Sequence, residues 1–92
     1  MEGLELLQLV KTNLRVFGRE FDDAEIIPLI HSAVEDIEDS TGTSFDLNSY
    51  MQCLAVVSFV KAYFGSTDTQ DKYLARYQEQ LKKLGVQKAG NL

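Results

Sequence analysis

The sequence is poor in the residues that build most catalytic and metal sites. Its 92 residues include one cysteine, Cys53, one histidine, His31, and no tryptophan. A single cysteine excludes a disulfide within the chain and a pair of cysteine metal ligands, and it favours a reducing compartment. A zinc site needs three or four ligands, and a single histidine supplies too few nitrogen donors for one. The sequence therefore predicts a protein that is not an enzyme and that holds neither a metal nor a cofactor.

Long apolar runs are also missing. No stretch approaches the roughly 20 apolar residues that a membrane-spanning helix needs, and the first residues lack the basic segment of a secretory signal. The length indicates one domain, and an apolar fraction of 45% is ordinary for a folded protein. We therefore expect a folded cytoplasmic protein with no membrane partner.

Charge is distributed unevenly along the chain. Residues 1–45 hold ten acidic and three basic residues, a net charge of −7, whereas residues 66–92 have a net charge of +2. General affinity for nucleic acid requires lysine and arginine to contact phosphates. The acidic first half argues against such affinity, and the basic residues near the end are too sparse to reverse it.

Apolar residues recur at helical spacing along most of the chain. One face of the first predicted helix, about 3–15, carries Leu4, Leu7, Val10 and Leu14. The second predicted helix starts at Asp22, which forms a capping-box pattern with Glu25, and ends at Gly42. Pro28 lies within it and predicts a kink or a later start, because proline lacks the backbone N–H of a helix interior.

The third predicted helix, about 46–64, is apolar on most of its sides. Asp46 is its candidate N-cap and Gly65 its candidate end. Because a helix that is apolar all round is buried, we predict an all-α fold, a small bundle of about four helices around this central helix.

The fourth predicted helix covers about 68–84. The residues from Thr67 to Gln70 have a capping-box pattern, and Gly85 is the expected stop. Residues 1–84 are therefore predicted to form a single helical domain, and residues 85–92 a flexible C-terminal tail.

Four carboxylates crowd the end of the second predicted helix: Glu35, Asp36, Glu38 and Asp39. Paired carboxylates can perform acid–base chemistry in a cleft, but a solvated acidic face is the simpler interpretation. Because the helix dipole disfavours negative charge at a C-terminus, the acidity hints at a role.

Three other sites suggest a specific function, but for each one a structural or surface role is the better-supported interpretation. His31 and Glu35 are one helical turn apart but supply only two metal ligands. Cys53 lies among apolar neighbours and is expected to be a buried, inert thiol. The dipeptide Asp39-Ser40 is similar to the pantetheine-bearing site of small acidic carrier proteins, but there the serine starts a helix, whereas Ser40 is expected to end one.

Two stretches carry a family resemblance. Residues 10–16 (VKTNLRV) are followed after a short gap by residues 21–27 (FDDAEII), and residues 55–65 (AVVSFVKAYFG) are followed by Lys72, Tyr73, Tyr77 and Leu81. Together they resemble the small head–tail connector proteins, also called adaptor or head-completion proteins, of long-tailed double-stranded DNA phages and prophages. The resemblance covers about residues 5–84.

The resemblance implies a structural virion protein involved in DNA packaging. Such proteins are helical and form a homo-oligomeric ring of about a dozen subunits beneath the portal at the capsid vertex, closed by head-to-tail contacts. The ring joins head to tail and extends the DNA channel. Implied partners are the portal protein and the next connector (stopper) or tail protein, while DNA passes through without specific binding. The protein would be made in the cytoplasm of the bacterial host and then reside in the virion.

Two hypotheses place the charged residues in such a ring. The candidate subunit-interface or channel-facing residues are Glu35, Asp36, Glu38, Asp39, Arg76, Lys82 and Lys83. The acidic second helix can face the mildly basic fourth helix of a neighbour, or the carboxylates can line the channel and keep DNA from adhering. Both stay open at this point.

The main alternative function is a small regulatory or adaptor domain that binds one partner protein through a helical surface. A DNA-binding helix-turn-helix ranks lower, because its recognition helix should be basic and exposed. Here the second helix is acidic and the third is apolar.

Overall fold

The computed structural model describes residues 3–14, 20–64 and 69–90. This part of the chain forms four α-helices: α1 (Gly3–Leu14), α2 (Glu20–Thr41), α3 (Tyr50–Tyr63) and α4 (Gln70–Gly90). No strand occurs in these ranges. The predicted all-α fold is confirmed, as is the number of helices.

The third helix lies at the centre of the bundle. It contacts each of the other three helices, most extensively α4, and α2 also packs against α4. Half of its residues are buried, namely Cys53, Ala55, Val56, Val57, Ser58, Val60 and Ala62. Removing apolar surface from water on all sides of one helix is the main force that holds the other three around it, as its apolar sequence predicted.

The second helix begins earlier than predicted. It starts at Glu20, so Asp22 lies inside the helix and its assignment as N-cap is wrong. The helix also runs through Pro28, so the predicted later start is wrong, while the alternative of a kink stays a prediction.

The third helix starts at a different cap from the one predicted. Its N-cap is Ser49, whose Oγ accepts a hydrogen bond of 3.3 Å from the Gln52 amide. Asp46 instead builds the preceding turn, with its Oδ1 accepting from the Asn48 amide at 2.9 Å and its carbonyl from the Ser49 amide at 3.0 Å. An aspartate that folds its side chain back onto the amide two residues later favours a turn over a helix.

The predicted C-terminal end of α2 is confirmed, whereas that of α4 is wrong. Gly42 has φ 71° and donates its N–H to the Glu38 carbonyl at 2.8 Å, which terminates α2 as predicted. In contrast, α4 passes through Gly85 and ends at Gly90, because an internal glycine costs a helix only about 1 kcal/mol. The predicted flexibility of residues 85–92 stays a prediction.

Other sequence signals lie outside the described residues. They are Gly18 after α1, Gly65 after α3, and the Thr67 and Asp68 positions of the capping box before α4. Within the described ranges, no helix combines the length and apolar character required to cross a membrane.

Candidate functional site

The four clustered carboxylates do not form one patch. Because successive residues of a helix are about 100° apart, Asp36 and Glu38 project from opposite flanks of α2. Oδ2 of Asp36 accepts a hydrogen bond of 2.5 Å from the Tyr77 hydroxyl on α4. Oε2 of Glu38 accepts one of 2.8 Å from the amide of Phe45 in the loop after α2. Two of the four acids therefore fasten neighbouring segments to this helix.

The other two carboxylates, Glu35 and Asp39, are exposed. Their spacing of four residues puts them one turn apart on the same side of α2, with about 5–6 Å between their Cβ atoms. We call this pair the acidic ladder. Unlike Asp36, which is also exposed, these two carboxylates accept no hydrogen bond from the described part of the chain.

The Tyr77 side chain lies where α2, α3 and α4 meet. It is only 2% exposed, and its ring meets the Phe59 ring edge-to-face with centroids 5.2 Å apart. Burial, followed by the hydrogen bond and charge of Asp36, raises the pKa of Tyr77 well above its usual value. The hydroxyl therefore stays protonated and keeps donating to Asp36 throughout the neutral range.

A cluster of cations surrounds the half-buried ring of Tyr73. Lys61 Nζ lies 5.2 Å, Lys72 Nζ 5.8 Å and Arg76 Cζ 5.7 Å from the ring centroid. Distances below about 6 Å are those of cation–π contacts. None of the three cations forms an ion pair with the part of the chain that the structure describes. We call these four residues the Tyr73 patch.

The predicted basic residues of α4 separate around the helix. Lys82 and Lys83 are both exposed. Lys83 follows Arg76 by two helical turns and shares its side of α4, whereas Lys82 lies about 120° away from Arg76. The structure therefore unites Arg76 with the Tyr73 patch and places Lys82 outside it.

Sequence reasoning missed most of the Tyr73 patch. The spacing of Lys72 and Arg76, one turn apart on one helix, was a usable signal for a basic face. The contribution of Lys61 had no local signal, because it reaches Tyr73 from a different helix.

A second surface is an apolar groove of about 370 Å³. It is formed by α1, α2 and the loop between α2 and α3, with walls made of Leu6, Leu7, Ile27, Ile30, His31, Val34, Phe45 and Leu47. Ile27 is 40% exposed, which is high for a large apolar side chain. Three separate segments contribute to the groove, so the helical periodicity of any one of them did not reveal it.

The remaining candidate residues have simple environments. Cys53 is buried, its Sγ donates to the Leu47 carbonyl at 3.5 Å, and desolvation raises its pKa, as expected of an inert thiol. His31 is exposed at the edge of the groove. No group of three or more His, Cys, Asp or Glu side chains suited to a metal occurs among the described residues. Ser40 lies in the last turn of α2.

Comparisons with known proteins returned nothing: no family model, no curated protein and no solved structure matches this chain.

Proposed function

We propose that this chain is a structural virion protein that assembles into a ring at the portal vertex, joins the phage head to the tail and extends the DNA channel. The observation that carries the proposal is the presence of two exposed surfaces of opposite charge on one small bundle. These surfaces are the Tyr73 patch and the acidic ladder, Glu35 and Asp39. The resemblance of residues 5–84 to head–tail connectors supplies the place of assembly.

Two unlike surfaces allow the head-to-tail contacts that close a ring. A two-fold interface uses the same patch on both subunits, whereas a ring closes through head-to-tail contacts between two different patches. The Tyr73 patch brings three cations to one small area. Two such patches would repel each other, while a basic patch and an acidic ladder attract.

The overall charge fits passage of DNA without adhesion. A net charge of −5 repels a phosphate backbone, since binding to DNA depends on neutralising phosphates with cations. The few clustered cations would be covered by subunit contacts. The ring then presents its remaining faces to the portal protein on one side and to the next connector or the tail on the other, and performs no catalysis.

Native mass spectrometry of the purified chain over a concentration series tests this proposal. A closed species of about a dozen subunits, formed by repeated head-to-tail contact, is the expected result. A second arm adds purified portal protein, because a ring can require a template. Failure to form a ring in both arms would contradict the proposed function.

The apolar groove favours one alternative function, an adaptor domain that binds a single partner protein. Its volume of about 370 Å³ and the exposed Ile27 side chain suit an apolar helix, which docks into a groove through side chains at helical spacing. In that case the chain would stay monomeric or form a discrete dimer in the mass spectra. Ile27→Asp would then abolish one-to-one binding of the partner, while in the ring hypothesis it leaves ring size unchanged.

A further inference from the structure

We infer that the Tyr73 patch of one copy receives the acidic ladder of the next copy, so that α4 of one subunit lies beside α2 of its neighbour. The inference rests on the proposed function and adds the two surfaces that build the subunit contact. The occupant of the patch is a second copy of this chain, and the attraction comes from cations that contact the Tyr73 ring and form no ion pair with the described residues.

Spacing is the first argument. Lys72 and Arg76 are four residues apart on α4, and Glu35 and Asp39 are four residues apart on α2. Each pair therefore spans one helical turn, with about 5–6 Å between Cβ atoms. Two helices laid side by side can therefore bring both cations to both carboxylates at once.

Charge state is the second argument. Lys61, Lys72 and Arg76 gather around one aromatic ring without an ion pair in the described part of the chain. Like charges held this close repel one another, and a pair of carboxylates would relieve that repulsion. The chain has a net charge of −5, so a second copy is itself a source of carboxylates.

Rigidity is the third argument. Asp36 and Glu38 lie between the two ladder residues in sequence, and they accept hydrogen bonds from the Tyr77 hydroxyl and the Phe45 amide. The end of α2 is thereby held against α4 and against the following loop. Glu35 and Asp39 are thus presented from a fixed helix, which lowers the entropy cost of ordering them at an interface.

The contact is tested with two complementary variants. The patch variant, Lys72→Gln/Arg76→Gln, keeps the acidic ladder but loses the basic pair. The ladder variant, Glu35→Gln/Asp39→Asn, keeps the patch but loses the carboxylates. Neither variant removes a buried side chain, so circular dichroism and thermal unfolding should show both folded. The matched controls are Lys82→Gln and Glu25→Gln, which remove exposed charges elsewhere on α4 and α2.

Native mass spectrometry and sedimentation then give distinct outcomes. Each variant alone should lose assembly, with its association weakened about tenfold or more, whereas both controls assemble like the wild-type chain. An equimolar mixture of the two variants should give a one-to-one heterodimer, because only the ladder of one and the patch of the other can pair. Raising the salt concentration should weaken all of these contacts through screening.

Several results would overturn the inference. Normal rings from either variant would do so. In that case the proposed function is retained, but the assignment of these two surfaces to the subunit contact is wrong. The absence of a heterodimer from the mixture, when the wild-type chain assembles, would do the same. A wild-type chain that stays monomeric at low salt up to about 1 mM, the range of the weakest specific contacts, would also contradict it.

Discussion

The hydroxyl of Tyr77 on α4 donates a 2.5 Å hydrogen bond to Oδ2 of Asp36 on α2, across 41 positions of the sequence. The donor is almost fully buried, whereas the acceptor residue is exposed. The bond therefore joins the core to a helix whose outer face stays in water. It orients the end of α2 against α4 and thereby fixes the acidic ladder.

Removing this hydroxyl should weaken the fold without opening a cavity. Tyr77→Phe keeps the ring contact with Phe59 and deletes only the donor, so the free energy of unfolding should fall by about 1–2 kcal/mol, as for a hydrogen bond to a charged group. Urea unfolding followed by circular dichroism measures the change. Asp36→Asn is the matched control, because its amide oxygen can still accept the bond, and it should lose less than Tyr77→Phe. Equal losses would contradict this account.

Alkaline pH should destabilise the protein through the same residue. The pKa of Tyr77 is raised in the folded chain above its usual value of 10.0, so above that pH the unfolded chain releases the proton first. The stability that this group contributes is fully present below pH 10.0 and is lost as the pH rises further. Urea midpoints for wild type and Tyr77→Phe at successive alkaline pH values measure this, and the wild type should fall more steeply. Parallel curves for the two proteins would refute it.

The N-cap of α3 offers a second stability test. Ser49→Ala removes the acceptor of the Gln52 amide and should cost about 1 kcal/mol. Ser44→Ala, at an exposed loop position, is the control and should change stability by less than about 0.5 kcal/mol. Differential scanning calorimetry distinguishes the two variants. A similar melting temperature for both would show that Ser49 does not cap the helix.

The Glu38 contact tests whether the acidic cluster has an internal role. Glu38→Ala leaves the Phe45 amide without its acceptor and should cost about 1–2 kcal/mol. Glu35→Ala should leave the stability of the isolated subunit nearly unchanged, because that side chain is exposed there. Amide hydrogen exchange at Phe45 reports the loop directly and should speed up only in Glu38→Ala. An unchanged exchange rate at this amide would contradict the role of Glu38 in holding the loop.

The position of a charge on a helix was predictable, but its partner was not. The sequence placed Glu35, Asp36, Glu38 and Asp39 near the end of α2, and helical geometry alone separates their directions. That Asp36 meets Tyr77, and that Glu38 meets the Phe45 amide, depends on where α4 and the loop pack. The same limit applied to the Tyr73 patch, where Lys72 and Arg76 come from one helix and Lys61 from another.

The sequence by itself determined the helical class, the buried central helix and the end of α2 at Gly42. These features depend on interactions within a few turns of one segment, namely apolar periodicity and the left-handed conformation of a terminal glycine. Only the tertiary structure decided that Ser49 rather than Asp46 caps α3, that α1, α2 and a loop enclose an apolar groove, and that three cations meet at Tyr73. The cap depends on whether Asp46 or Ser49 accepts a hydrogen bond from an amide in the first turn of the packed helix. The groove and the cation cluster join residues from segments that only packing brings together.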